Sequence, residues 1–409
     1  MRLDVFGATM RVNKTETCRG VVAVSRGVQV MTCTRCIYDE KVSEISFDNE
    51  GVCNYCRQVD SLVSSYGTGT ARGELKFRKL VEKIKLVQQN ADYDCIVGVS
   101  GGTDSSFLLL LAKEVGLRPL AVHYDNTWNS AVATQNIAIV TKKLGIDLVT
   151  YVIDNKEQDQ TKLAILKAGV PEFDADTDIA FISVLRKVAA YHRVKYILEG
   201  HSFVTEGISP IGGNYFDNAY VMDICRRFGD FKPKSFPSLG FWTFLKWSVI
   251  YRQQIIRPLW YLEYDKTSAR KRLQEELGWR YYGGHHLENR ASAFAHTVWL
   301  PQRFGVDLRN LSLAADVRSG KRTREEAIRE YGTPVHVEKN LVRYVKKRLD
   351  LTDDEYLLLM NGPRRTWRQF KTYKRRFELL RPLFYVLARF GMVPMSFYLK
   401  YCFPLRKHS

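Results

Sequence analysis

Six consecutive residues, Ser100-Gly101-Gly102-Thr103-Asp104-Ser105, have the types and spacing for phosphate chemistry. Paired glycines let a backbone turn sharply and come close to a ligand, and the hydroxyls of Ser100, Thr103 and Ser105 crowd the start of the helix that follows. Free N–H groups and the positive helix end suit a phosphate. Asp104 adds a hard oxygen ligand for the Mg2+ that accompanies ATP. The Walker-type alternative, Gly-x-x-x-x-Gly-Lys-Ser/Thr, does not fit this loop.

A second constellation lies upstream. Cys33-x-x-Cys36 and Cys53-x-x-Cys56 are separated by sixteen residues, and residues 47–51 (Phe-Asp-Asn-Glu-Gly) read as a hairpin turn that brings the doublets together. This is the spacing of a structural Zn2+ site. Four thiolates leave no open coordination position, so the metal is expected to hold a small module together and not to react.

Both constellations need elements to position them. A β-branched run at 96–99 reads as a buried strand leading into the loop, and the Leu-rich stretch 105–115 reads as the helix behind it. Further strands are expected at 118–124, 147–153 and 196–199, with helices at 74–89, 129–144, 156–168 and 178–192. Alternating strands and helices predict an α/β fold with a doubly wound parallel sheet and ligands at the strand C-termini. Residues 208–256 look like an insertion, and their many aromatics are expected to form core or an interface. The expected organisation is a disordered lead at 1–30, a zinc-ribbon-like four-cysteine module at 31–60, an ATP-binding core at 61–207, a substrate or partner region at 208–345 and a basic helical tail at 346–409.

The formal charge is +18, but residues 364–409 carry twelve Lys/Arg and one Glu, so +11 of it belongs to the tail. Basicity is therefore a poor guide to the substrate, and nucleic acid is not the expected partner. A basic amphipathic tail suits an anionic membrane surface or an acidic protein, or it packs as a partly solvated helical pair. No stretch approaches the roughly 20 apolar residues of a spanning helix, and the N-terminus lacks a signal-peptide pattern. The remaining cysteines (Cys18, Cys95, Cys225, Cys402) are scattered, which fits a reducing compartment. The expectation is a cytoplasmic protein, in reach of the inner membrane face through its tail.

The Ser-Gly-Gly-Thr-Asp-Ser string after a Val-rich strand resembles the PP-loop of the ATP-pyrophosphatase (adenine nucleotide alpha hydrolase-like) superfamily. The resemblance implies an adenylating enzyme that splits ATP between the α and β phosphates, with Asp125 close to the nucleoside. Thr205-Glu206 resembles the Ser-Glu of NAD synthetases, in which the glutamate helps hold magnesium; Glu206 is thus the expected second carboxylate beside Asp104. Lys266, in Tyr264-Asp265-Lys266, matches a basic residue that reaches the pyrophosphate in such synthetases. His286 and Glu288, in Gly283-Gly284-His285-His286-Leu287-Glu288, are expected in hydrogen-bonding or acid/base roles.

Taken in order over residues 31–345, these motifs together with Leu-Pro-x-x-Phe-Gly-x-Asp-x-Arg at 300–309 resemble the N-acetyl sugar amidotransferases of bacterial surface-polysaccharide (O-antigen) biosynthesis. One departure is His285, usually lysine in that family. The resemblance implies conversion of an acetamido group on a nucleotide-linked sugar to an acetamidino group. It also implies ammonia from a separate glutaminase (HisH-like) and an ammonia-channelling subunit (HisF-like), since Cys95 and Cys225 lack a nucleophile-elbow context. The rival enzymatic reading is a PP-loop tRNA-modifying enzyme, a thiolase or lysidine-type ligase. A non-catalytic membrane-docking scaffold is the rival of another class.

Overall fold

The computed structural model describes residues 31–210, 214–284 and 287–403, so the expectation for residues 1–30 lies outside the described residues. Five strands form the sheet: β1 (Cys95–Gly98), β2 (Pro119–Asp125), β3 (Leu148–Val152), β4 (Tyr196–Leu198) and β5 (Gln254–Ile256). All pair in parallel, in the order β3-β2-β1-β4-β5. The expected α/β, doubly wound parallel sheet is therefore present. The order reverses beside β1, so the loops after β1 and β4 flank a crevice, the place where such sheets bind ligands.

Pleating splits β1 between two apolar layers. Cys95, Val97 and Val99 face a layer built with α2 (Ala71–Val87), α3 (Thr103–Glu114) and α4 (Ala131–Leu144), following α1 (Asn54–Tyr66). Ile96 faces the opposite layer with α5 (Asn155–Ala168) and α6 (Ala175–Tyr191). The helix ends follow from local chemistry. Ser130 accepts from the N–H of Ala133 at the start of α4, Asp154 does the same from Glu157 at α5, and Gly145 and Gly169 end these helices at positive φ.

The 208–256 region departs from its reading as an insertion. It contributes α7 (Asn218–Ile224), α8 (Phe241–Val249) and the edge strand β5. Three residues between loops are too short a run to announce a strand by periodicity; β5 exists because Ile255 and Ile256 register against Ile197 and Leu198. Most of the region's rings are core, as expected: Tyr215, Tyr220, Phe236, Phe241, Phe244 and Trp247 are buried, whereas Trp242 is exposed.

Then follow α9 (Lys266–Arg272), α10 (Arg290–Phe294), α11 (Arg309–Arg318), α12 (Arg324–Tyr331), α13 (Leu341–Arg348) and α14 (Asp353–Asn361). Three C-terminal helices complete the set: α15 (Lys374–Leu379), α16 (Arg381–Arg389) and α17 (Met395–Tyr401). They pack on α8, with Phe377 against Phe241 at 5.4 Å and Phe384 stacked on Phe244 at 6.3 Å between centroids.

In the four-cysteine region, isolated antiparallel bridges Thr32↔Asp39 and Phe47↔Cys53 make two short turns, the second closing through Gly51 at φ +73°. Tyr38 and Tyr55 pack with Leu313 and Ala314 of α11 and Ala327 of α12.

Candidate active site

The Ser100–Ser105 loop is shaped by its own side chains. The Gly102 N–H donates to Ser100 Oγ at 3.3 Å and the Ser100 N–H to Ser105 Oγ at 3.3 Å. Gly101 adopts φ +79°, and its carbonyl accepts from Trp279 Nε1 (3.1 Å) and Asn136 Nδ2 (3.3 Å). A Cβ there would lie 2.2 Å from the carbonyl oxygen of Ala133. Gly101→Ala is therefore expected to cost at least about 2 kcal/mol of stability, combining backbone strain with a clash against a helix backbone, measured as a fall in denaturation midpoint.

Asp104 sits in the first turn of α3, Lys266 opens α9 and Glu206 lies in the loop after β4. The Lys266 ammonium is 2.8 Å from Asp104 Oδ2 and 3.2 Å from Glu206 Oε1, so two acids 102 positions apart aim at one point. Tyr264 Oη donates to Asp104 Oδ1 at 2.5 Å and orients that carboxylate. Burial favours a neutral Lys266, but Asp104 and Glu206 outweigh it and hold its pKa above the ordinary lysine value. The lysine is charged throughout the neutral range.

His201 stands 3.9 Å from Glu206 Oε2 and accepts from Trp260 Nε1 at 3.3 Å. Desolvation lowers its pKa against the opposing pull of Glu206. Beneath it, Arg257 pairs with Glu199 at 2.6 Å and stacks on Trp260 at 4.8 Å. Burial works against ionisation of Glu199, but Arg257 and His201 hold its pKa below the usual glutamate value.

Of these groups Asp104, Glu206, His201 and Glu199 border a cavity of about 250 Å3, lined also by Ser100, Gly102, Ser105 and Glu288, with Phe181, Ile182, Leu185 and Ile255 as apolar wall. Glu288 and Tyr282 press on the loop: a Cβ on Gly102 would meet them at 3.1 and 3.2 Å. Arg186 of α6 also lines the cavity. It is buried, its Nε lacks a hydrogen-bond partner, and desolvation pulls its pKa down to about 10 against the attraction of Glu199.

Not every residue expected at the site reaches this cavity: Lys266 touches it only through Asp104 and Glu206. Gly101 and Thr103 are turned to the scaffold; Thr103 is buried and receives Arg270 Nε at 3.4 Å. Asp125, at the end of β2, accepts from the Thr127 N–H (2.8 Å) and Asn129 Nδ2 (3.3 Å), so it shapes the neighbouring loop and does not line the cavity. His286 lies outside the described residues. Sequence reasoning passed over Tyr264, Tyr282 and Arg186. The only signal for Arg186 was an arginine that ends a mostly apolar helical stretch, Ala180–Leu185, broken by Ser183 alone.

Cys33, Cys36, Cys53 and Cys56 are all buried, with their sulfurs within 4.8 Å of one another. Cys33–Cys56 and Cys36–Cys53 are each separated by 3.8 Å. That is about the edge of a tetrahedron whose corners lie ~2.3 Å from one ion, so the donor set fits Zn2+. Arg318 of α11 reaches in from the far end of the chain, donating to Cys56 Sγ (3.2 Å) and Cys36 Sγ (3.3 Å) and stacking on Tyr38 at 4.6 Å. Arg324 Nε donates to the carbonyls of Cys33 (3.2 Å) and Cys36 (3.1 Å).

The segment that begins at Glu288 ties the site to the helices after it. Ser130 N–H donates to the Glu288 carbonyl (2.8 Å), and Asn289 Nδ2 donates to Asn126 Oδ1 (2.8 Å) and Asn129 Oδ1 (3.0 Å). Residues 288–383 match the family described as LPS biosynthesis protein WbpG-like, C-terminal domain. The WbpG-like segment therefore includes Glu288, which lines the cavity, and Arg318, which reaches the cysteines.

Two uncharacterized proteins of Methanocaldococcus jannaschii are similar in sequence. One is 29% identical over 175 residues, 42% of this chain and 59% of that protein. The other is 34% identical over 91 residues, 22% of this chain and 30% of that protein. The chain thus spans less than two thirds of either relative. Among solved structures, NMN synthetase from Francisella tularensis superposes with a TM-score of 0.32 at 14% identity, covering 67% of this chain and 92% of that one. A predicted subunit of tRNA methyltransferase from Methanocaldococcus jannaschii gives 0.23 at 17% identity, covering 43% and 72%.

Proposed function

We propose that this chain is an ATP-dependent, AMP-forming amidotransferase of bacterial surface-polysaccharide biosynthesis, which turns the acetamido group of a nucleotide-linked sugar into an acetamidino group. The observation that carries the reading is the convergence of Asp104, Glu206 and Lys266 at the mouth of the Ser100–Ser105 loop, in the crevice where the strand order reverses. The WbpG-like match supports the polysaccharide setting.

The chemistry follows from the weakness of an amide. Its carbonyl carbon is a poor electrophile and its oxygen a poor leaving group. The amide oxygen attacks the α-phosphorus of ATP, the α–β P–O bond breaks and pyrophosphate departs. Ammonia then adds to the imidate carbon, loses a proton, and the C–O bond breaks to release AMP and the amidine. In this scheme the Ser100 and Ser105 hydroxyls at the start of α3 cradle the departing pyrophosphate, and Lys266 offsets the charge developing on it. Asp104 and Glu206 are the residues that would hold Mg2+, which when bound neutralises phosphate charge. Tyr264 keeps Asp104 oriented, and the apolar wall excludes water that would hydrolyse the adenylate.

No described cysteine outside the four-sulfur cluster suits a glutaminase: Cys95, Cys225 and Cys402 are buried, with pKa values raised chiefly by that burial. Ammonia is accordingly assigned to a separate glutaminase with its channelling subunit.

The test is release of AMP and pyrophosphate from ATP with an ammonium salt, comparing diacetamido nucleotide-sugars with bulk tRNA and using Asp104→Ala as control. Sugar-dependent AMP release with an amidine product is expected. Release that depends on tRNA would transfer the protein to the RNA modifiers, and no release with either substrate would favour a scaffold.

A further inference from the structure

The last three helices leave a face bare that the reaction does not use. Phe377, Phe384, Leu387 and Ala388 bury one side of α15 and α16. On the opposite side Leu379, Leu383, Val386 and Phe390 recur at helical spacing and are exposed, Leu379 by 81% and Phe390 by 67%. Amphipathic helices of a folded domain normally present polar residues there. Four apolar side chains in a row on the outside mark a contact surface.

Charge says what kind of surface it meets. Arg375, Arg376, Arg381 and Arg389 are all exposed on these two helices. The one acid of residues 364–409, Glu378, is paired with Lys374 at 3.3 Å, so this segment supplies no further carboxylate to offset the arginines. An apolar stripe bordered by uncompensated arginines matches the layering of an anionic leaflet, acyl chains beneath phosphate headgroups. Long arginine stems reach headgroups while the stripe enters the boundary below them. No helix of the described residues is long and apolar enough to cross a membrane, so such contact lies in the interface plane.

We propose that the outer face of α15 and α16 docks this protein on an anionic bilayer surface. The proposal is independent of the reaction assigned above, because it uses none of the residues around Asp104. It extends the general basicity of the tail to a defined stripe and its flanking cations.

The test is co-sedimentation of the full chain, without ATP or sugar, with phosphatidylcholine vesicles and with vesicles containing phosphatidylglycerol. Binding is expected to the anionic vesicles alone and to weaken as salt rises. Leu383→Ser/Phe390→Ser is expected to reduce the partition coefficient by about tenfold or more, with an unchanged melting temperature because both side chains face outward. Arg375→Gln/Arg389→Gln should do the same and flatten the salt dependence. A wild-type chain that stays in the supernatant with anionic vesicles overturns the proposal. So does a wild-type dimer that the Leu383/Phe390 variant converts to monomer without change in vesicle binding, since the stripe then serves a second copy of the chain.

Discussion

Lys266→Met is expected to lower AMP-forming turnover by about 10²–10³-fold, the usual loss when one preorganised donor to developing charge is removed. The lysine is the only cation that contacts both Asp104 and Glu206 among the described residues, at 2.8 and 3.2 Å. Its loss leaves the two carboxylates facing each other and, in the proposed reaction, takes a positive charge from the place where pyrophosphate would depart. Both acids keep some exposure, 20% and 16%, so the stability cost should fall short of the ~3–5 kcal/mol of a fully buried pair that loses a partner. Steady-state kinetics together with a thermal melt separate the two effects. A melting temperature close to wild type with turnover preserved would remove Lys266 from the chemistry.

Zinc removal is the second large effect. The wild-type chain is expected to carry one zinc, measured by elemental analysis, and Cys36→Ser to lose it. Without metal, four buried thiols must replace one ion, and the packing of Tyr38 and Tyr55 on α11 and α12 loosens. Arg318→Met is the sharper test. Its guanidinium faces two of the four sulfurs, and outer partners of this kind typically contribute about 10–100-fold in metal affinity. Competition with a chromophoric chelator reads that directly. The effect should extend to catalysis, because α11 also abuts the loop that holds Glu206: a Cβ on Gly207 would lie 2.8 Å from the Leu311 carbonyl. Zinc retention unaltered by Arg318→Met would reduce that arginine to a packing residue.

The central βα unit was legible because everything that makes it is local. A β-branched strand, two glycines and a Leu-rich helix follow within 20 residues, and pleat and helix periods act on neighbours. The same holds for the cysteine doublets, whose sixteen-residue interval allows one turn to close them. Strands β2 and β4 were also readable, since buried parallel strands are continuous apolar runs between helices, whereas the edge strand β3, none of whose residues is buried, was readable from its β-branched and aromatic residues. Helix ends shifted by a few residues; α4, expected from 129, starts at Ala131 after the Ser130 cap.

What the sequence determined by itself, then, was the α/β class, the strand–loop–helix unit around Ser100–Ser105 and the metal-type cysteine set. Tertiary structure decided the rest. Tyr264 meets Asp104 across 160 positions and Arg318 meets Cys56 across 262, contacts that no local spacing encodes. It made β5 a strand by register against β4, and it turned Asp125 away from the cavity and Arg186 toward it. The physical reason is common to all of them. Local propensity acts over a turn or two of chain, whereas a buried charge or an edge strand is settled by which distant groups satisfy it.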